Sequence, residues 1–320
     1  MAERRDSLGE LAYEALRLAF VPWQRERRIA KERERVRIAR FSSRVISAGS
    51  RHSLALRSNG NVACWGCNDW GEAPPDGVDG DFVAIAAGGD HALALRSDGN
   101  VACWGYNDQQ QAPPDGVDGD FVAIAAGGDH SLAQRSNGSV ACWGLDGFDQ
   151  APPDGVDGDF VAIAAGANHS LALRRNGNVR CWGRNRWGEA PRRGVAGDFV
   201  AIAAGGNHSL ALRRDGNVAC WGDNEFGKAP PGGVDGGDFI AIAAGVNHSL
   251  ALRRDGNVAC WGRNDRGQAP PGGVDGDFVA IAAGFRHSLA LRRDGSVACW
   301  GNNDKGQAPP EGVRGPFVVI

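Results

Sequence analysis

Residues 88–105 read GGDHALALRSDGNVACWG, and this pattern returns seven times along the 320-residue chain with few changes. Each copy carries one histidine (His52, His91, His130, His169, His208, His248, His287) and one Trp-Gly pair (Trp65, Trp104, Trp143, Trp182, Trp221, Trp261, Trp300). Successive histidines are 39 residues apart, except for one step of 40 that an extra glycine at Gly236-Gly237 explains. A period of about 40 residues built from short apolar runs is typical of a β-propeller or a stacked repeat array.

One copy divides into three strands and a return segment. Residues 82–88 form an apolar run of mostly small side chains, which suits the crowded strand nearest a propeller axis. Residues 91–96 and 101–104 are predicted as the second and third strands, joined by a glycine-containing turn. Pro113-Pro114 places the return segment on the outer edge, because proline cannot donate a ladder hydrogen bond. We therefore predict an all-β, seven-bladed β-propeller of short 39-residue repeats over residues 44–320.

The first 43 residues differ from the repeats and are predicted to be a basic leader, helical or disordered. Residues 7–10 match a helix capping box, and apolar residues follow at helical spacing until Pro22. Residues 24–40 then alternate positive and negative charge with few apolar positions, which indicates a solvated helix or a disordered segment. A nuclear-import or partner-binding segment is the functional alternative.

The two ends of the repeat region bear on how the ring closes. Residues 43–49 fill the innermost strand position of the first copy, and residues 317–320 read FVVI, the opening of an eighth copy. We expect this tail to pair with the first blade and to latch the ring. In the alternative, the chain is part of a longer array, and the two segments would compete for one strand position.

Composition and charge limit the classes of partner. The net charge of −3 combines a leader of net +5 (residues 1–44) with an acidic repeat body, so a general attraction for nucleic acid is not expected. No run of 18 apolar residues and no signal-peptide core is present, which predicts no membrane span and a cytoplasmic or nuclear location. Seven of the eight cysteines precede the repeat tryptophans in separate copies, so we expect reduced thiols.

Chemistry that needs converging side chains is not predicted. One histidine per blade around a ring does not bring ligands to one metal ion. The Cys64/Cys67 pair is the only Cys-x-x-Cys, and Cys64 lies on a predicted strand rather than at a helix N-terminus. Asp76, Asp79 and Asp81 fit turn formation better than a calcium loop. We expect no enzyme activity, no catalytic residues, no metal and no cofactor.

The copies differ mainly in two loops that the strand directions bring to one face, the residue pair before each histidine and the stretch after each Trp-Gly. A repeated frame with one variable face is typical of a binding surface. Exposed aromatic and arginine side chains anchor many protein interfaces. The candidate protein-binding residues are Arg51, Trp70, Tyr106, Phe148, Arg184, Trp187, Phe226, Arg263, Arg266, Phe285 and Arg286.

Charge on this face is uneven. Copies one to three hold Arg51 against seven acids (Asp69, Glu72, Asp90, Asp108, Asp129, Asp146, Asp149). Copies four to seven hold seven bases (Arg184, Arg186, Lys228, Arg263, Arg266, Arg286, Lys305) against five acids (Glu189, Asp223, Glu225, Asp265, Asp304). A ring polarised in this way would orient a partner of opposite polarity.

The recurring motif AAGxxHSLALxxDGxVxCWGxNxxGQ resembles the regulator-of-chromosome-condensation repeat family. Its 39-residue unit is similar in length to the short repeats of the related beta-lactamase-inhibitor protein II superfamily. The resemblance covers residues 44–320 and implies a seven-bladed propeller used mainly to bind proteins. Members of the family include exchange factors for a small nuclear GTPase, a plant ultraviolet-B receptor and propellers of ubiquitin ligases.

The chain differs from these family members in features that their specific activities need. The largest interruption of the repeat is one glycine, whereas the exchange factors depend on interrupting loops. The receptor's chromophore tryptophans correspond to Ser50, Gly89, Gly128, Ala167, Gly206, Val246 and Phe285. We therefore expect a non-enzymatic protein-interaction propeller whose partner is an unidentified protein, with a small GTPase or a ubiquitin-pathway component as candidates.

Two alternatives remain at this point. One is guanine-nucleotide exchange or regulation of a small GTPase. The other is a chromatin-associated adaptor that attaches through the Arg-Arg turns of copies four to seven (Arg174-Arg175, Arg213-Arg214, Arg253-Arg254, Arg292-Arg293).

Overall fold

The computed structural model describes residues 44–319, so both predictions for the leader lie outside the described residues. Within that range, 21 strands form seven antiparallel three-stranded sheets, one sheet per repeat. In chain order the strands are β1 Ile46–Ala48, β2 His52–Leu56, β3 Val62–Gly66, β4 Phe82–Ala87, β5 His91–Arg96, β6 Val101–Gly105, β7 Phe121–Ala126, β8 His130–Arg135, β9 Val140–Gly144, β10 Phe160–Ala165, β11 His169–Arg174, β12 Val179–Gly183, β13 Phe199–Ala204, β14 His208–Arg213, β15 Val218–Gly222, β16 Phe239–Ala244, β17 His248–Arg253, β18 Val258–Gly262, β19 Phe278–Ala283, β20 His287–Arg292 and β21 Val297–Gly301. A 3-10 turn lies at Glu225–Gly227. The predicted seven-bladed propeller is confirmed.

Each blade repeats one register. In the second blade Ile85 pairs with Ala94, and Leu93 pairs with Cys103. The central strand is buried on both faces from His91 to Leu95, because each sheet is covered by a neighbouring blade on either side. The first strands line a central cavity of about 550 Å³, which confirms their innermost position.

The return segment contributes little to the sheet. In the second blade only Val117 pairs with the third strand, through a single antiparallel bridge to Val101. A turn closed by Gly116 N donating to Pro113 O precedes it, at 2.9 Å. The segment therefore forms the outer edge, as the prolines predicted, and each blade has three full strands.

The repeat tryptophan and histidine connect neighbouring blades. Trp104 Nε1 donates to Glu72 O of the preceding blade at 3.1 Å. His91 Nε2 lies 2.9 Å from Ser131 Oγ of the following blade, and that hydroxyl donates to Gln111 O. Because the serine hydrogen is used in this way, His91 Nε2 carries the hydrogen that Ser131 accepts. These two contacts explain why the two residue types recur once per blade.

The ring closes between the seventh and first blades. His287 Nε2 lies 2.9 Å from Ser53 Oγ. The C-terminal tail pairs with the first blade, as predicted, through a bridge between Phe317 and Arg57. The expectation that the tail and the start of the repeats would compete for one strand position is wrong. Ile46 pairs with Ala55 further along β2, so the two segments lie end to end along one strand.

Candidate functional site

The candidate site is the propeller face that carries the two variable loops of every blade. We call it the variable face: the residue pair before each histidine together with the loop from the residue after each Trp-Gly pair to the following Ala-Pro. The first and third strands of a blade run toward this face and the second runs away from it. The short turns between second and third strands lie on the opposite face.

A repeated set of hydrogen bonds holds the loop that follows each Trp-Gly. In the first blade Ala73 N donates to Asn68 Oδ1 at 2.9 Å, and Trp70 N donates to Glu72 Oε2 at 2.8 Å. The equivalent of the second bond recurs at Gln109, Phe148, Trp187, Arg266 and Lys305. Because these bonds fix the backbone on both sides, the side chain five residues after the repeat tryptophan points outward from the same place in six blades. In the fifth blade Lys228 replaces the acceptor, and Phe226 occupies the equivalent position within the 3-10 turn, with a φ of 64°.

Four of these seven outward positions carry a large aromatic side chain. Trp70, Phe148, Trp187 and Phe226 are 55%, 49%, 51% and 48% exposed. The other three positions are Gln109, Arg266 and Lys305. Exposed aromatics of this size are uncommon on a surface that binds nothing, so their repetition on one face makes this face the candidate interaction surface.

The following blade supports three of the four aromatic side chains. The ring of Tyr106 lies 5.0 Å from that of Trp70. The guanidinium of Arg184 lies 5.6 Å from the centre of the Phe148 ring, and that of Arg263 lies 5.1 Å from Phe226. Such contacts limit the rotamers of the exposed ring, which lowers the entropy lost on binding.

The other predicted residues, and the arginine beside Trp187, lie on the same face, some exposed and some half-buried. Trp187 is stacked by Arg186 of its own loop at 5.1 Å, and Phe285 is stacked by Arg286 at the same distance. Arg51 lies between two carboxylates, 3.8 Å from Asp69 and 3.7 Å from Asp90. Arg266 is exposed, whereas Tyr106 and Phe285 are half-buried. The structure thus places all eleven predicted residues on one face.

Three charged residues counted on this face are buried instead. Glu72 and Glu189 have exposed fractions of 0% and 1%, because each carboxylate accepts the backbone N–H that holds its loop. Lys228 is also buried, and its Nζ donates to Asp223 Oδ2 at 2.7 Å. The sequence did not indicate this burial, because every blade has a polar or charged residue at the position, and such residues are usually exposed in loops. The equivalents are Gln111, Gln150, Gln268 and Gln307.

The uneven charge survives that correction. Arg51 still faces six aspartates in the first three blades, whereas six bases face four acids in the other four. Burial, and then the negative charge of Asp90, raise the pKa of Asp129. A hydrogen bond to Asp108 is the main cause that raises the pKa of Tyr106. Negative potential is therefore concentrated on the second and third blades.

The Arg-Arg turns of the opposite face are largely engaged within the fold. The first arginine of each turn stacks on the phenylalanine that begins the same blade: Arg174 on Phe160, Arg213 on Phe199, Arg253 on Phe239 and Arg292 on Phe278. The second arginine of the fifth blade, Arg214, pairs with Asp198 at 2.8 Å. These contacts leave fewer guanidinium groups for a phosphate backbone than the sequence suggested.

The cysteines and histidines form no reactive cluster in residues 44–319. All eight cysteines are unpaired thiols, and burial raises the pKa of the Cys64 thiol to about 12. Cys67 Sγ lies 3.1 Å from Asp69 Oδ2. Over the same residues, His, Cys, Asp and Glu side chains make no group of three that could hold a metal ion. Nor does any described helix have the length and apolarity to cross a membrane.

A closed ring of seven near-identical blades with one variable loop face defines a repeat-built β-propeller. The model for the regulator of chromosome condensation (RCC1) repeat matches residues 44–71, 82–111, 121–150, 160–188, 199–228, 239–268 and 278–307. The chain belongs to this repeat family, as its sequence motif indicated. No curated protein matches the chain.

Solved propellers are similar to the chain over most of its length. The CRINKLY WD40 ectodomain of the Arabidopsis thaliana receptor kinase ACR4 is 25% identical, with a TM-score of 0.66 over 84% of this chain and 98% of that one. Prp20p from Saccharomyces cerevisiae is 25% identical, with a TM-score of 0.59 over 70% of this chain and 72% of that one. Human WBSCR16 is 20% identical with a TM-score of 0.64, over 77% and 85% of the two chains, a likeness of fold alone.

Proposed function

We propose that the protein is a non-enzymatic interaction module that binds a protein partner through its variable face. The observation that carries this proposal is the set of four exposed aromatic side chains, Trp70, Phe148, Trp187 and Phe226, at one repeated loop position. Aromatic residues contribute a large share of binding energy at protein interfaces because they bury much area at a low cost in side-chain entropy.

The charge of the face restricts the partner's surface. A partner that covers the ring would meet carboxylates over the first three blades, among them Asp108 and Asp129. Over the fourth blade it would meet Arg184 and Arg186. We expect a partner with a basic patch and an acidic patch on either side of an apolar centre, because complementary potentials orient a complex and exclude wrong partners.

Affinity purification with three forms of the full chain tests the proposal. One form is unchanged, one carries Trp70→Ala, Phe148→Ala and Trp187→Ala, and the control carries Val83→Ser and Val122→Ser. The two valines are 44% and 42% exposed, and each is the second residue of a blade's first strand, at the end away from the variable face. A protein retained by the unchanged chain and the control, but lost from the aromatic variant, is the expected partner. Equal retention by all three forms would exclude the variable face.

Family membership favours a second candidate, exchange or regulation of nucleotide binding on a small GTPase. Prp20p, similar in fold and 25% identical, was solved in a study of its binding to Gsp1p and histones. A nucleotide-release assay with purified small GTPases discriminates this candidate. Accelerated release that the three aromatic substitutions abolish would make exchange the function of the same face.

A further inference from the structure

The outer rim of the fourth blade carries a groove lined by arginines. Arg174, Asn178, Arg180, Arg192 and Arg193 line a cavity of about 280 Å³, together with Val179, Gly194, Val195 and Ala196. No acidic residue is among the lining residues. The groove is separate from the variable face, because it is built on the start of β12 and on the return segment that pairs with it at Val195.

Four of the lining positions differ from their counterparts in the other repeats. Arg180 replaces an alanine found in all six other copies (Ala63, Ala102, Ala141, Ala219, Ala259, Ala298). Arg192 replaces a proline (Pro75, Pro114, Pro153, Pro231, Pro271, Pro310), and Arg193 replaces an acid or a glycine (Asp76, Asp115, Asp154, Gly232, Gly272, Glu311). Ala196 replaces an aspartate in five copies (Asp79, Asp118, Asp157, Asp235, Asp275) and Arg314 in the seventh. The three arginines add positive charge to the rim of the fourth blade, and Ala196 removes an aspartate that five other blades carry at that position.

The backbone of the groove is that of the other blades. Gly194 N donates to Pro191 O at 2.8 Å and closes the same turn that Gly116 and Pro113 close in the second blade. Arg192 and Arg193 therefore occupy positions that proline and aspartate fill in other blades, and the turn does not depend on their side chains. Arg192 and Arg193 are exposed at this turn.

Two guanidinium groups are held in position at the groove. Arg180 Nη1 donates to Asp157 O at 3.1 Å, which directs this side chain across the seam with the third blade. Arg174 stacks 5.2 Å from the centre of the Phe160 ring and lies 3.4 Å from Asp159 Oδ1. Asp159 neutralises one of these four arginines, so the groove keeps a surplus of positive charge.

The seventh blade shows the usual composition of this rim. Its groove is lined by Arg292 and Arg314, but also by Asp294 and Glu311. Both signs are present there, and the arginines have acids beside them. The fourth blade lacks such acids, and concentrating like charges in one concavity is unfavourable unless an anion is bound.

We propose that this groove binds a phosphate monoester group. Guanidinium forks match the oxygen geometry of a phosphoryl group through paired N–H donors, which is why arginine clusters are common phosphate sites. The dianion is the preferred form, because several cations face it and because a second pKa of about 6 leaves a phosphate monoester mostly dianionic at neutral pH. The inference does not depend on the proposed partner of the variable face.

Calorimetric titration of the full chain with inorganic phosphate, and separately with phenyl phosphate, tests the site at low ionic strength. The reverted variant carries Arg180→Ala and Arg193→Asp, residues that other blades tolerate at the same positions, so we expect it to fold. The control carries Arg293→Ser and Arg314→Asp, exposed residues of the seventh blade that are likewise set to those of other blades. Both variants lose three units of positive charge, so net charge alone cannot distinguish them.

The expected result is one phosphate site per chain in the unchanged protein and the control, with affinity at least about tenfold lower in the reverted variant. Binding should also weaken from pH 7.5 to pH 5.5 as the dianion is protonated. An equal loss of affinity in the reverted variant and the control would show a general charge effect, and equal affinity of all three proteins would place the binding outside this groove. Absence of binding to the unchanged chain at ~10 mM ligand would show that no site exists. Each of these outcomes overturns the proposal.

Discussion

His52 faces Ala92 across the seam between the first two blades, and neither of its ring nitrogens has a hydrogen-bond partner among residues 44–319. In the other six seams the residue opposite is a serine whose hydroxyl lies 2.8 to 2.9 Å from the histidine Nε2. A buried polar atom left without a partner lowers stability. The seam between the first and second blades is therefore the least well bonded of the seven.

Restoring the serine should stabilise the protein. Ala92→Ser gives His52 Nε2 a partner and lets the hydroxyl donate to Glu72 O, so we expect the free energy of unfolding to rise by about 1 kcal/mol. Urea denaturation measures it. The matched variant Ser131→Ala breaks the equivalent pair with His91 and should lower stability by about 1–2 kcal/mol. If Ala92→Ser gave no gain while Ser131→Ala gave a loss, the seam would not accommodate the hydroxyl.

The buried histidines make the fold sensitive to acid. Burial is the main cause that lowers their pKa, to about 4 for His52, His130 and His248, and to about 3 for His91, His169, His208 and His287. The unfolded chain binds these protons near pH 6.5, so the folded state binds fewer protons between about pH 6.5 and pH 3–4. Stability is thus fully present above about pH 6.5 and is lost as the pH falls through this window.

Urea midpoints at pH 7.5, 6.5, 5.5 and 4.5 check this dependence. We expect a decline that begins below about pH 6.5, before exposed carboxylates titrate near pH 4. Unfolding at pH 5.5 should take up several protons, which calorimetry in buffers of different ionisation enthalpy can count. A midpoint that stays constant from pH 7.5 to pH 5.5 would contradict the prediction.

The C-terminal tail should stabilise the closed ring. Phe317 is 5% exposed, and Ser58 N donates to Pro316 O at 2.7 Å. Deleting residues 316–320 should lower the melting temperature by several degrees, and Phe317→Ala alone should cost about 3–5 kcal/mol. Glu311→Ala, at an exposed position shortly before the tail, is the control and should have little effect. An unchanged melting temperature after the deletion would show that the bridge to Arg57 contributes nothing.

Two tryptophans five residues apart should respond in opposite ways. Trp182 packs between blades and donates from Nε1 to Gln150 O at 3.0 Å, so Trp182→Ala should cost about 3–5 kcal/mol of stability. Trp187 is 51% exposed, and Trp187→Ala should change stability by less than about 0.5 kcal/mol while weakening partner binding. Denaturation curves measure the stability of the two variants, and retention of the partner on each variant measures its binding. Comparable losses of stability would mean that Trp187 belongs to the core.

The opposed charges of the variable face should determine the orientation of the partner. Arg184→Glu, Arg186→Glu and Arg266→Glu invert the basic side without touching the loop hydrogen bonds, so the fold should persist. We expect slower association and a weaker salt dependence of the on-rate, since complementary charge acts mainly on encounter. Surface plasmon resonance at two ionic strengths measures both. Unchanged association kinetics would show that these arginines lie outside the interface.

The repeat sequence was sufficient for the fold and for the face that varies. A histidine and a Trp-Gly pair about every 39 residues predicted seven equivalent seams between blades. The alternating direction of the strands placed the loops that carry Trp70, Phe148, Trp187 and Phe226 on one face. These conclusions follow from local patterns, because strand length, turn residues and apolar spacing are properties of neighbouring positions.

Only the tertiary structure decided which charges face water and which residues meet across a seam. Glu72, Glu189 and Lys228 occupy a position that the sequence could not distinguish from a surface loop, and inter-blade packing buries them. The sequence suggested that the Arg-Arg turns could bind a phosphate backbone, but the first arginine of each turn stacks on a phenylalanine of the same blade. The isolation of His52, the end-to-end strand at ring closure and the arginine groove of the fourth blade likewise depend on contacts between residues far apart in sequence. Burial and pairing are set by closing the ring, and one repeat taken alone does not contain that information.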